Sequence, residues 1–167
     1  AAIDAASRRR IRRPLQSPQG ATVSVGGCRQ LNFCSNDYLG FANDSRLSQA
    51  YSQGMQQYGL GSGASSLVCG YSEAHQQLEQ QLAEFTGRDR ALLFNAGFQL
   101  NASVIPALLG GEGALFCDAL NHASLIDGSR LSRQQINIFP HGDIVTLGRQ
   151  LTACDLPIKL IVSDAVF

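Results

Sequence analysis

RALLFNAGFQLNASVIPALLGGEGALFCDALNHASLIDG, residues 90–128, holds two short apolar runs, each followed after a turn by a stretch with helical spacing. Residues 90–94 read as a strand and 98–109 as a helix; 114–118 read as a second strand, and helical turns follow over about 123–131. The alternation continues downstream, with a strand over 136–139, a helix over 143–153 and a strand over 158–164. Short apolar strands that alternate with helices predict an α/β fold, a mostly parallel sheet with helices on both faces. Pro106 lies inside the first of these helices, where it removes one backbone hydrogen bond and is expected to bend or shorten the element.

Upstream the pattern differs. Residues 21–25 alternate like a short strand, and Gly26-Gly27 turns it back into residues 30–33. Residues 45–58 read as a helix with Asp44 or Ser45 as N-cap and Gly59 just past its end. GLGSGASS, residues 59–66, is too rich in glycine for an element interior and reads as a loop that brings backbone close to something. Ser72 caps a further helix that runs to about Phe85 and stops at Gly87. Its stripe, His75, Leu78, Leu82 and Phe85, follows one helical face and puts His75 on the buried side. There it is either a satisfied core or interface histidine or a site residue.

At 167 residues the chain can form one well-packed domain, and its 44% hydrophobic content is that of an ordinary globular protein. Thirteen basic residues balance thirteen acidic ones, which argues against nucleic acid or an anionic membrane surface as partner. The one local excess is Arg8, Arg9, Arg10, Arg12 and Arg13, a solvated arm or a site for an anionic substrate group. Five scattered cysteines, odd in number and without C-x-x-C, favour neither a disulfide framework nor a metal site and suit a reducing, cytoplasmic setting. No apolar run approaches the roughly 18 residues of a membrane span. Both chain ends, Ala1-Ala2-Ile3 and Val166-Phe167, read as cut.

Two positions carry the chemistry. Asn95-Ala96-Gly97-Phe98 joins a strand to a helix, so the free N–H groups of the first helical turn face whatever lies at the strand's carboxyl end. Such a turn takes a phosphate through backbone donors alone, although the junction by itself reads first as a plain tight turn. His122 follows the next strand, again at a carboxyl end, where ligands bind in open parallel sheets. Flanked by the small Ala123 and Ser124, its imidazole could lie flat against a planar ring. Together the two signals favour a flat, phosphorylated cofactor.

At these residues the sequence resembles the α-oxoamine synthases, pyridoxal-phosphate enzymes of fold type I that condense an amino acid with an acyl thioester. NFCSNDYLG (32–40) is similar to a family signature. EAHQQLE (73–79), Gly97-Phe98 and NHASLIDG (121–128) resemble further family blocks in the same order. The resemblance implies pyridoxal 5′-phosphate as cofactor, and it divides the chain into an arm and small-domain segment over 1–44 and the first part of the cofactor-binding large domain over 45–167. It implies that Gly97 and Phe98 give N–H groups to the cofactor phosphate. His122 would stack on the pyridine ring and also lie near the substrate, Asn36 would lie near the amino-acid carboxylate, and Arg10 would contact the acyl substrate.

Within the family the chain is most similar to the branch that joins a pimeloyl thioester, carried on coenzyme A or acyl carrier protein, to L-alanine. Arg10 four residues before Pro14, Gly61-Ser62-Gly63 with Gly70-Tyr71-Ser72, and Arg130-Leu131-Ser132 carry that likeness. The branch that uses glycine and makes 2-amino-3-oxobutanoate shares the histidine block. A homodimer with shared active sites is also implied. The departures are Ala96 for the usual serine, Gly142 within H-N-D, and Ala165 within D/E-G-V-F. The only lysine, Lys159, does not match the family's Schiff-base position, which is expected beyond Phe167 together with the pyridinium aspartate. On that reading the catalytic lysine is outside this chain, which would not turn over alone. The competing expectation is a non-catalytic α/β domain that binds a phosphorylated ligand.

Overall fold

In the second half of the chain every residue of the strand Gly113–Asp118 is buried, and its side chains point alternately to two different helical layers. The structure, a computed structural model, describes residues 11–167; Arg10 lies outside the described residues. These residues form two compact units, divided between Gln76 and Gln77, and each is taken by itself.

In the first unit, β1 (Thr22–Val25) and β2 (Cys28–Leu31) form an antiparallel hairpin in which Val25 pairs with Cys28. Gly26 and Gly27 both have positive φ, 57° and 76°, the backbone that a two-residue hairpin turn demands and that glycine adopts without strain. The return strand therefore begins at residue 28 and not at 30 as the sequence suggested, because the tight turn leaves no slack. Helix α1 (Ser45–Tyr58) is capped by Asp44, whose Oδ1 accepts from Arg46 N at 2.8 Å. The glycine-rich segment is a loop as expected. It is followed by a wide turn over Ser66–Gly70, wound so closely that a Cβ on Gly70 would strike the Ala64 carbonyl.

The unit boundary falls within α2 (Glu73–Thr86), and here one expectation is corrected. His75 is half-buried, while Leu78 and Phe85 of the same stripe are 45% and 88% exposed. The His75 ring turns back on the preceding turn: Nδ1 accepts from Ser72 N at 3.2 Å and lies 2.8 Å from Ser72 Oγ, and the ring stacks on Tyr71. His75 thus closes the first turn in the manner of a capping-box side chain.

The second unit holds a parallel three-stranded sheet of order β4-β3-β5, with β3 (Gly113–Asp118) central, β4 (Gln135–Phe139) and β5 (Ile158–Val162). Helix α3 (Gly97–Leu109) precedes β3; α4 (Ala123–Leu131) and α5 (Ile144–Thr152) form the two crossovers. Leu115 and Cys117 pack with Ile105 and Leu109 of α3, whereas Ala114 and Phe116 pack with Leu147 of α5 and with Phe139. This two-residue alternation is what covers the sheet on both faces.

One further expectation is corrected and one is narrowed, since Pro106 does not shorten its helix. Residues 90–94 form no regular element and pair with no strand among the described residues; Leu93 N donates instead to Glu79 Oε1 at 3.1 Å. A side-chain acceptor has taken the place of a ladder partner. Helix α3 also continues past Pro106 to Leu109, where Gly110 (φ 58°) ends it. One missing hydrogen bond does not outweigh the burial of Ile105 and Leu109, which are 3% and 1% exposed.

Candidate functional site

Helix α3 starts without a side-chain cap. Its N-cap, Ala96, has no hydroxyl, so the first-turn donors of Gly97, Phe98 and Gln99 have no acceptor inside the helix. A Cβ on Gly97 would meet nothing within 4 Å, so no contact among the described residues requires glycine there. The space in front of the turn is open.

The loop between β3 and α4 is held more firmly. Asp118, 5% exposed, accepts from Leu120 N at 2.8 Å, and the buried Asn121 gives its Nδ2 to Val162 O at 2.8 Å. His122 N donates to Asp164 Oδ2 at 2.7 Å, which ties the histidine to the segment after β5. The imidazole itself caps α4: Nδ1 accepts from Ser124 N at 3.2 Å and lies 2.6 Å from Ser124 Oγ. Ser124 Oγ in turn accepts from Asn101 Nδ2 at 2.9 Å. Asn101 sits one helical turn beyond Gly97, so this bond ties the second turn of α3 to the first turn of α4. Gly128 lets the helices meet, because a Cβ there would strike Asn101 O and lie 3.2 Å from Ile105 Cδ1.

The same end of the sheet carries an acid–imidazole pair that the sequence alone did not reveal. His141 Nδ1 lies 3.0 Å from both Asp118 oxygens, and Gly142 N donates to Oδ2 at 3.4 Å. Burial pushes the Asp118 carboxyl up, but bonds from Leu120, His141 and Gly142 outweigh it and hold the group below the ordinary carboxylate range. His141 also meets the Phe167 ring edge-on, centroids 4.4 Å apart. Asp118 and His141 are separated by 23 residues, and only the parallel register of β3 and β4 brings them together. Among the described residues no group of three or more His, Cys, Asp or Glu is disposed to hold a metal ion.

Of the residues singled out from the sequence, Gly97, Phe98 and His122 therefore lie at one end of one unit. Asn36 belongs to the other unit, in a turn that Asp37 closes by accepting from Phe41 N at 2.8 Å and Ala42 N at 3.1 Å; the Asn36 side chain is exposed. Lys159 lies on β5 with Nζ donating to Leu151 O at 2.8 Å. Asn101, Ser124, Asp118, His141 and Asp164 are the functional candidates that sequence reasoning missed. Ser124, His141 and Asp164 lay within blocks already compared, but none of those blocks showed what each side chain touches; Asn101 and Asp118 carried no signal.

Residues 29–167 match the family described as aminotransferase class I and II. The 8-amino-7-oxononanoate synthase of Burkholderia pseudomallei strain 1710b is 50% identical over 169 aligned residues, covering 99% of this chain and 43% of that protein. Among solved structures, the serine palmitoyltransferase of Sphingomonas wittichii superposes with a TM-score of 0.87 at 26% identity, over 96% of this chain and 41% of that one. The 8-amino-7-oxononanoate synthase of Francisella tularensis superposes at 0.61 and 30% identity, over 70% of this chain and 32% of that one. The chain belongs to the class I and II aminotransferase family, in its α-oxoamine synthase branch. It spans about two-fifths of the length of the curated relatives it matches.

The cofactor of this family is pyridoxal 5′-phosphate. The uncapped α3 amides fit its phosphate, the exposed and oriented imidazole of His122 fits its flat ring, and the open space before Gly97 leaves room for approach. No helix among the described residues is long and apolar enough to cross a membrane.

Proposed function

We propose that this chain is part of a pyridoxal-phosphate-dependent acyltransferase of biotin synthesis, which condenses a pimeloyl thioester with L-alanine and releases CO2 to form 8-amino-7-oxononanoate. The observation that carries the reading is the Asn101–Ser124 bond, which ties a helix that starts with free amides at residues 97–99 to one that starts with an imidazole fixed by Ser124. The 50% identity to 8-amino-7-oxononanoate synthase supports the choice of substrates.

When bound, the cofactor supplies an electron sink for the carbanion at the amino-acid Cα. The residues of this chain bind and orient. Gly97 and Phe98 donate N–H bonds to the phosphate, where the α3 dipole adds to their pull. His122 covers one face of the ring, shielding it from water. For Asn36 and Arg10 the family resemblance alone supplies the roles: contact with the amino-acid carboxylate and with the acyl substrate. Lys159, whose Nζ donates to the Leu151 carbonyl, does not match the family's Schiff-base position, so it is not the lysine amine that such chemistry requires. Residues 1–167 by themselves therefore do not complete the reaction, and the active protein is a cytoplasmic homodimer that contains them.

The test is an assay of the intact protein with L-alanine and glycine across pimeloyl and acetyl thioesters. The highest kcat/KM is expected for L-alanine with the pimeloyl thioester. Preference for glycine with the acetyl thioester would make the protein a glycine C-acetyltransferase, and cofactor binding without turnover would make it a phosphate-ligand domain. In the expected case, His122→Ala lowers turnover and weakens cofactor binding; wild-type values for both would remove the stacking role.

A further inference from the structure

His122 does not stand alone. Ser124 is 2% exposed, and its hydroxyl lies between two partners with fixed roles. Asn101 Nδ2, which can only donate, approaches Ser124 Oγ at 2.9 Å. The oxygen thus acts as acceptor on that side, and its proton is free for His122 Nδ1 at 2.6 Å. The Ser124 backbone N–H also points at the same ring nitrogen, 3.2 Å away, and an amide cannot reverse its direction. Both neighbours of Nδ1 are donors. A proton on Nδ1 would face an amide proton; a proton on Nε2 faces none of these groups.

We propose that Ser124, backed by Asn101, is the positioning residue of His122. It fixes the neutral ring as the Nε2–H tautomer, sets the plane in which the ring lies, and couples that plane to the α3 turn. Asn101 stands on the turn that follows Gly97, so movement of the α3 start toward a phosphate is transmitted to the ring through two hydrogen bonds. The same geometry leaves Nε2–H as a donor directed away from Ser124, available to a substrate acceptor. The role in cofactor binding rests on the function proposed above, whereas the tautomer does not.

The deciding measurement is nitrogen NMR of 15N-histidine-labelled intact protein, free of cofactor and in alkaline buffer, combined with binding titrations. The wild-type His122 ring is expected to show an acceptor-type Nδ1 and a protonated Nε2. Ser124→Ala leaves only the longer backbone donor at Nδ1, so it is expected to admit a minor Nδ1–H population and to weaken pyridoxal 5′-phosphate binding about five- to tenfold, the scale of one lost hydrogen bond to an ordering group. Inorganic phosphate should bind Ser124→Ala as it binds the wild type, because the amides of residues 97–99 are untouched. Ser124→Thr, which keeps the hydroxyl, should restore the wild-type pattern, and Asn101→Leu should loosen the ring without removing Ser124. A wild-type ring protonated on Nδ1 would overturn the proposal, as would a Ser124→Ala protein with unchanged tautomer and cofactor affinity. A protein with the Nε2–H ring that ignores pyridoxal phosphate would uphold the positioning and defeat only the proposed function.

Discussion

At the scale of single residues, two glycines and one aspartate separate what the fold needs from what a ligand would need. Gly97 has open space where a Cβ would stand and no positive φ, whereas Gly128 is pressed against Asn101 O and Ile105. Gly97→Ala is therefore expected to change unfolding free energy by less than about 0.5 kcal/mol. It should still weaken pyridoxal-phosphate binding about tenfold, since the new methyl enters the space in front of the amides. Urea melts and a fluorescence titration of the intact protein check both halves, and unchanged affinity would show that nothing approaches Gly97 closely. Asp118 tests the electrostatics. Its folded carboxyl is more acidic than the ordinary value of 3.8, so the stabilisation is present above that value and lost as pH falls through the lower, folded one. Asp118→Asn should be less stable than wild type at neutral pH, with the gap closing in acid; a constant gap in near-UV circular dichroism melts would mean that the charge is irrelevant.

At the scale of elements, the α3–α4 crossing is the joint that the site depends on. Gly128→Ala forces a methyl into a carbonyl oxygen and a core side chain, and overpacking of this kind costs about 1–3 kcal/mol. The urea midpoint should fall accordingly, and His122 should lose its single tautomer as Ser124 parts from Asn101. A midpoint within error of wild type would show that the helices can separate freely. The sequence made most of these elements legible because their apolar runs are bounded by glycines and caps: α1, α3, α4 and the strands β3, β4 and β5 fall within a few residues of expectation. Where reading failed, another contact had won. Residues 90–94 have the composition of a strand, but a strand exists only through a neighbour, and Glu79 takes the Leu93 amide instead. The His75 stripe has helical spacing, yet periodicity does not say whether anything covers the face. Gly97, Phe98 and His122 were visible as strand-to-helix junctions; Asn101, Ser124 and the Asp118–His141 pair were not, because their meaning depends on register between segments 23 residues apart.

At the scale of the molecule, stability should be unevenly distributed, and the distribution follows from burial. All six residues of β3 are buried and both of its edges are hydrogen-bonded, to β4 and to β5. In the hairpin, by contrast, all four residues of β2 are exposed and only Val23 of β1 is buried. A two-stranded hairpin with one buried side chain is marginal in water, whereas a central strand opens only when its whole unit unfolds. Hydrogen exchange on the 167-residue chain is thus expected to be slowest at residues 114–118 and to report the global unfolding free energy there. Amides at 22–31 should exchange faster by orders of magnitude. Gly97, Phe98 and Gln99, lacking acceptors, should exchange fastest within α3, and inorganic phosphate should slow these three while leaving β3 unchanged. Equal protection in β3 and the hairpin would mean that the two units unfold together, and no response at 97–99 would remove the anion from the α3 start.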